Sequence, residues 1–284
     1  MIRFGPAGNS NLFYDEGNKS SLQIPQWLKQ KGLTAYEYQC GRGVRVKEEF
    51  CEKLKKECQK YDIALSLHAP YFINLASTDR EKLDKSIGHI SKSLKAVNDM
   101  GGTKIVVHPG SAPKEEDRKE VVARAKFFLE EVLQKTKSYE HVKIGLELMG
   151  KINQLGNLAE ILELCLVNPK RCIPVIDFGH LHAREHGSLN NKEEFGRVVD
   201  KIGSILGEDV VKNLHAHFSP IEFSKGGEKK HRVFADKGFG PRFEDFLPII
   251  LENNMTPTII CESSGMQTED AIFMKNLYLQ NRSD

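Results

Sequence analysis

ALSLHAP (residues 64–70) is a short apolar run closed by a histidine and a turn, and five later segments repeat its plan. They read KIVVHPG (104–110), KIGLELMG (143–150), CIPVIDFGH (172–180), VKNLHAHFS (211–219) and TPTIICESS (256–264). Each carries a metal-type donor at its C-terminal end: His68, His108, Glu147, Asp177 with His180, His215 with His217, and Glu262. One such ending means little, because a lone histidine after a strand is more often a hydrogen-bonded structural group than a ligand. Six in succession imply a fold that collects strand ends in one place. In a (β/α)8 barrel the C-terminal ends of all strands converge on one face, where catalysis sits.

The intervening sequence agrees with that fold. Two earlier apolar runs, IRFGPAG (2–8) and AYEYQC (35–40), bring the strand count to eight. Between the runs, apolar residues recur at three and four, the spacing of a helix with one buried face. In 79–101 these are Leu83, Ile87, Ile90, Leu94 and Val97, and Gly101–Gly102 stops the helix. Helices are also expected over 22–32, 46–61, 115–137, 157–167, 192–206, 242–253 and 267–281. Short apolar strands alternating with helices indicate a parallel sheet buried on both faces. The expected fold is a single (β/α)8 TIM barrel spanning 1–284, with its site at the C-terminal mouth. A doubly wound open sheet has no single mouth that would collect six strand ends. The longest connection, PIEFSKGGEKKHRVFADKGFGP (220–241), reads as a basic loop of the length that usually serves function.

Composition narrows the partners. The chain has 284 residues, 39% of them hydrophobic, and a formal net charge of +2, so overall charge announces no nucleic acid. Its six cysteines form no C-x-x-C pair and read as reduced core thiols, which points to a cytoplasmic protein. MIRFGPAG enters a strand directly, so no signal peptide is expected. No run approaches the ~18 apolar residues of a membrane span. No membrane association and no obligate protein partner are expected.

The carboxylates are more telling than the histidines. Glu147, Asp177 and Glu262 lie in apolar strands, and a buried carboxylate is costly unless it is paired or metal-bound. Three of them at one mouth would repel each other without cations between them. Imidazole and carboxylate donors together suit Zn2+ or Mn2+. More donors are offered than one tetrahedral ion uses, so two or three ions are expected, with Glu147 placed to bridge two of them. Paired ions of this kind serve phosphoryl displacement.

The segments HAPYFINLAS (68–77), HPGS (108–111), LELMG (146–150), IDFGH (176–180), LHAHFS (214–219), HRVFADKGFG (231–240) and CES (261–263) resemble endonuclease IV over nearly the whole chain. That family comprises apurinic/apyrimidinic endonucleases of DNA repair, within the xylose-isomerase-like barrel superfamily. The resemblance implies a zinc-dependent hydrolase that cuts the phosphodiester 5′ to an abasic site in DNA. It implies one ion on His68, His108 and Glu147, a second on Glu147, Asp177, His215 and Glu262, and a third on His180 and His231. Glu147 and Glu262 are the carboxylates expected to carry catalysis. Arg42, Tyr71, Phe72 and Lys229 are expected to contact DNA, the aromatic pair as a wedge that splays the abasic nucleotide.

Two positions depart from the family's pattern. Lys229 stands where the family has an aspartate ligand two residues before His231, and a charged lysine cannot ligate. That site is expected to be weaker, missing or completed by the neighbouring Glu228; alternatively, the Lys229 ammonium replaces part of the lost metal charge and holds a phosphate directly. His217 is the second departure; as the alternate residue of its strand it is expected to face away from His215. The alternative function is a sugar isomerase or epimerase of the same superfamily, for which Glu147, Asp177, His215 and Glu262 would hold the single metal.

Overall fold

Eight short strands build the structure, a computed structural model that describes residues 1–282. In chain order they are β1 (Arg3–Pro6), β2 (Ala35–Gln39), β3 (Ala64–His68), β4 (Lys104–Val107), β5 (Lys143–Glu147), β6 (Cys172–Asp177), β7 (His215–Phe218) and, after a hairpin, β10 (Thr258–Cys261). They pair in parallel in the order β1-β10-β7-β6-β5-β4-β3-β2. The ring closes between β1 and β2 through a bridge joining Ala7 to Glu37. At this seam Thr34 N donates to Phe4 O at 3.0 Å and Gly8 N donates to Glu37 O at 2.9 Å. Gly5 makes the approach possible, since a Cβ there would lie 1.8 Å from Ala35 O. The fold is a (β/α)8 barrel with every strand pointing the same way.

The helices run Ile24–Gln30, Glu48–Tyr61, Arg80–Asp99, Arg118–Lys135, Leu158–Cys165, Lys192–Leu206, Phe243–Glu252 and Gln267–Asn281. Their starts are written locally. The Asp79 carboxylate accepts from the amides of Glu81 and Lys82, and Asp117 accepts from that of Lys119. Asn157 and Glu160 form a reciprocal capping box. Apolar faces such as Ile87, Ile90, Leu94 and Val97 are buried against the strands. All six cysteines are free and buried, and among the described residues no helix is long and apolar enough to cross a membrane.

The stretch read from sequence as a long basic loop is folded. It contains an antiparallel hairpin, β8 (Ile221–Ser224) and β9 (Gly227–His231). KGG at 225–227 supplies its turn. The hairpin is fastened to the segment after β5, where Glu228 N donates to Gly150 O at 3.1 Å and Ile152 N to Gly226 O at 3.2 Å. Two guanidiniums hold that segment from below. Arg184 donates to the carbonyls of Met149, Lys151, Ile152 and Gln154, and Arg118 to those of Ile152 and Gln154 as well as to Glu160.

Candidate metal centre

Glu147, at the end of β5, sits in the middle of the site with its side chain almost fully buried. Nε2 of His68, from the end of β3, and Nε2 of His108, just after β4, both lie 3.0 Å from its Oε2. His68 turns its other nitrogen to Ala69 O at 2.9 Å, which fixes the ring so that Nε2 faces the mouth. On the opposite side, Glu147 Oε1 lies 3.3 Å from Nδ1 of His217 and 3.5 Å from Nδ1 of His180. Asp177, at the end of β6, accepts from the amide of His180 at 2.7 Å and caps the short helix Phe178–Arg184. Its Oδ2 is buried with no hydrogen-bond partner, although it lies 3.2 Å from His180 Nδ1.

Among the described residues the donor atoms fall into five overlapping groups, each within the reach of one ion. Three span the mouth: His68, His108 and Glu147; Glu147, Asp177, His217 and Glu262; and Asp177, His180 and His231; the other two join Glu37 to His215 and His217, and to His68 and Glu262. His231 comes from the hairpin, its Nδ1 held 2.7 Å from Ser219 Oγ and its Nε2 3.9 Å from Glu262 Oε2. An orphaned carboxylate oxygen and imidazoles converging on shared carboxylates are the arrangement that divalent cations resolve. The residues therefore fit divalent metal ions.

Electrostatics agree with the geometry. Burial alone would raise the Glu147 carboxyl, but the imidazoles of His108 and His217 outweigh it and hold Glu147 well below the usual range. Burial opposes charge on His68, yet its bond to Glu147 pushes it up to about 9. Burial likewise opposes charge on His180, while Asp177 and then Glu228 push it up to about 9. In Asp177 burial prevails and the carboxyl is raised. Without metal, protons on His68, His180 and His217 offset the charge of the carboxylates.

The expected roles of His215 and His217 are exchanged. Residues two apart on a strand point to the same face, so both side chains enter the barrel. Because β7 runs toward the mouth, His217 reaches the Glu147–Asp177–Glu262 group and His215 lies one layer below it. His215 Nε2 is 3.0 Å from Glu37 Oε2, and burial, reinforced by Lys104, drives its pKa down to about 4. Glu37 itself went unnoticed in the sequence. It is fully buried in β2, accepts from Ser66 Oγ at 2.8 Å, and has Oε1 3.1 Å from His217 Nε2, off the line of a good hydrogen bond. The signal was available, since AYEYQC places a carboxylate inside an apolar strand just as KIGLELMG does.

The residues expected to contact DNA divide into two places. Gly41 and Tyr71 join the loops after β2 and β3, with Tyr71 N donating to Gly41 O at 3.2 Å. Arg42 is exposed on the first of these loops. Tyr71 and Phe72, on the second, are 54% and 59% exposed; the Tyr71 ring lies over Gly41 and the Phe72 ring is 5.8 Å from that of His89. Tyr71 leans toward His108, with ring centroids 6.5 Å apart. Lys229 is elsewhere, on the outer side of the hairpin, with its Nζ 2.6 Å from Glu222 Oε1. Arg232 grips the same carboxylate.

Residues 25–278 match the family model described as xylose isomerase-like TIM barrel. The chain belongs to that family. An uncharacterized protein of Methanocaldococcus jannaschii is 33% identical over 97% of this chain and 96% of its own length. A probable endonuclease 4 of Acholeplasma laidlawii is 29% identical over 61% of this chain, and the match spans only 58% of that relative. Among solved structures, a D-tagatose 3-epimerase-like protein has a TM-score of 0.73 at 20% identity, covering 98% of this chain and 97% of its own. Endonuclease IV from Thermus thermophilus has a TM-score of 0.71 at 17% identity, covering 98% of each chain. At such identities the likeness establishes the fold. Nuclease and epimerase relatives share it, so the reaction has to be argued from the site.

Proposed function

We propose that this protein is a metal-dependent endonuclease that hydrolyses the DNA phosphodiester 5′ to abasic sites. The observation that carries the reading is the set of three overlapping donor groups across the mouth. A one-metal isomerase needs only Glu147, Asp177, His217 and Glu262, and would leave His68, His108, His180 and His231 without a task. Resemblance to proteins named probable endonuclease 4 points the same way. The ions would polarise the phosphate and lower the pKa of a bound water.

The protein's own residues set the geometry for that chemistry. Glu147 belongs to two donor groups and fixes their separation. Asp177 likewise joins the central group to the one on the hairpin side. Glu262, partly open to solvent, is the carboxylate placed to accept a proton at the mouth. Tyr71 and Phe72 offer exposed rings beside the His108 edge, where an unstacked nucleotide finds stacking surface. Arg42 adds positive charge for backbone phosphates on that side, and Lys229, paired with Glu222 on the outer side of the hairpin, would have to leave that partner to do so.

The second reading is a keto-sugar epimerase, favoured by the completeness of the central four-residue group. The deciding experiment places the metal-loaded protein on an abasic-site duplex and, separately, on keto-sugars. Incision 5′ to the lesion, abolished by chelation, is expected. Sugar turnover with an intact duplex would give the protein to the epimerase reading.

A further inference from the structure

The third donor group has no carboxylate at the position two residues before His231, because Lys229 stands there with its ammonium bound to Glu222. The strand is irregular at that point. Glu222 pairs with Lys230 and Phe223 pairs with Glu228, so Lys229 has no partner across the ladder. This is a β-bulge, with one extra residue on β9. It turns Lys229 and Lys230 outward together and leaves Glu228 and His231, three residues apart, facing inward. An unbulged strand would send residues three apart to opposite faces.

We propose that Glu228, carried inward by this bulge, adds a second carboxylate, beside Asp177, to the third ion's site with His180 and His231. This rests on the metal-dependent reading above. Glu228 Oε2 lies 3.5 Å from His180 Nε2. His180 directs Nδ1 to Leu148 O at 2.9 Å, so it is Nε2 that faces that carboxylate and offers its lone pair once its proton is displaced. An imidazole nitrogen and a carboxylate oxygen facing each other share a proton in the metal-free protein and can share a metal cation in its place. The backbone is shaped for the same end. A Cβ at residue 150 would fall 2.6 Å from Glu228 Cβ, 3.0 Å from its Oε2 and 3.0 Å from His180 Cδ2, so only glycine lets the glutamate descend. The bond from Glu228 N to Gly150 O then fixes the hairpin at that height. A glutamate, one methylene longer than aspartate, together with one inserted residue makes up for the lost ligand position, and Lys229 is the residue displaced.

The test is metal content per chain after loading with Zn2+ and gel filtration, with the rate at which a chelator strips each ion, for the native protein, Glu228→Gln, Gly150→Ala, Lys229→Ala and Lys229→Asp. Three ions are expected in the native chain and in Lys229→Ala. Glu228→Gln should lose one, or release it more than about 100-fold faster, since even residues outside the ligand shell change affinity by 10- to 100-fold. Gly150→Ala keeps the carboxylate but lifts it, and should reproduce that loss. If Glu228→Gln and Gly150→Ala hold three ions as tightly as the native chain, the proposal is wrong and the metal-dependent reading stands. If the native chain holds at most one ion, both fall. If either variant unfolds, the other decides. A rise to three ions only on Lys229→Asp would also overturn the proposal, because it would show that the site had been left short of a carboxylate.

Discussion

The two flanks of the mouth are built on different foundations. On one side, His68, His108 and Glu147 stand at or just past the ends of β3, β4 and β5, three adjacent strands of the barrel. On the other, His180 rides on a seven-residue helix, and His231 with Glu228 rides on a hairpin fastened to the segment at Gly150. The first flank is placed by the ladder itself. The second depends on a bulge, a glycine and two arginines holding six carbonyl contacts between them. A ligand on a strand end is positioned by many residues at once, whereas one on an added hairpin is positioned by few and is easier to re-register.

The strongest way to break the comparison is Glu147→Gln, because this carboxylate serves both the strand-borne group and the central group. Metal affinity should fall more than about 100-fold, with loss of incision, since the change exceeds what partners outside the ligand shell cause. Full metal content and normal turnover would show that the flanks are independent. Next is Glu37→Gln, which removes the charge of the buried carboxylate beneath His217, close also to His68 and Glu262. A loss of about 10- to 100-fold in affinity at the central group is expected, with the flanks less affected. Equal loss at all sites by elemental analysis would mean that the barrel floor, not His217, had been disturbed.

The pH dependence of metal binding sharpens the comparison further. His68 on one flank and His180 on the other are both pushed up to about 9 in the metal-free protein. Below that value each holds a proton that the ion must displace. Apparent affinity should therefore rise with pH, by about tenfold per unit for each proton released, and level off near 9. The same shift has the opposite sign for the metal-free fold. A raised imidazole contributes stability that is complete below its ordinary value and is lost as pH rises through about 9. Titration calorimetry in buffers of different ionisation enthalpy counts the protons, and a flat profile from 6 to 9 would contradict the assignment. The smallest effect is expected from Phe72→Ala, where loss of a stacking surface should weaken binding of an abasic duplex by about 1–3 kcal/mol with metal content unchanged. A fall in metal content there would place Phe72 in the structure of the site.

The strand-borne flank was legible in the endings of the apolar runs, whereas on the other flank the pairing of the donors His180 and His231 comes from the family resemblance and the hairpin carrying His231 reads as a loop. Strand length, helical spacing and donor position together locate His68, His108, Glu147, Asp177 and Glu262, because each closes an apolar run whose direction the barrel dictates. His180 follows Asp177 by three on a helix that Asp177 itself caps, so that pair is local. What failed was register. His215 and His217 share a face, and only the depth of β7 in the barrel decides which of them meets the carboxylates. In the hairpin, one unpaired residue changes which side chains point inward, and a one-residue slip leaves no mark on composition or periodicity. Glu37 was legible by the rule applied to Glu147, but its partners, Ser66, His215 and His217, lie 29 residues or more away along the chain.

The seam between β1 and β2 has a consequence for motion. A closed ring breathes where its ladder is thinnest, and this joint is held by one bridge and the hydrogen bonds beside it. Yet Glu37, on the β2 side of the joint, reaches across the lumen to two imidazoles of β7. A fluctuation that widens the seam therefore pulls on the carboxylate beneath His217. Holding His217 in place at the mouth would damp that fluctuation in turn, so the looseness of the ring and the tightness of its centre are two readings of one spring.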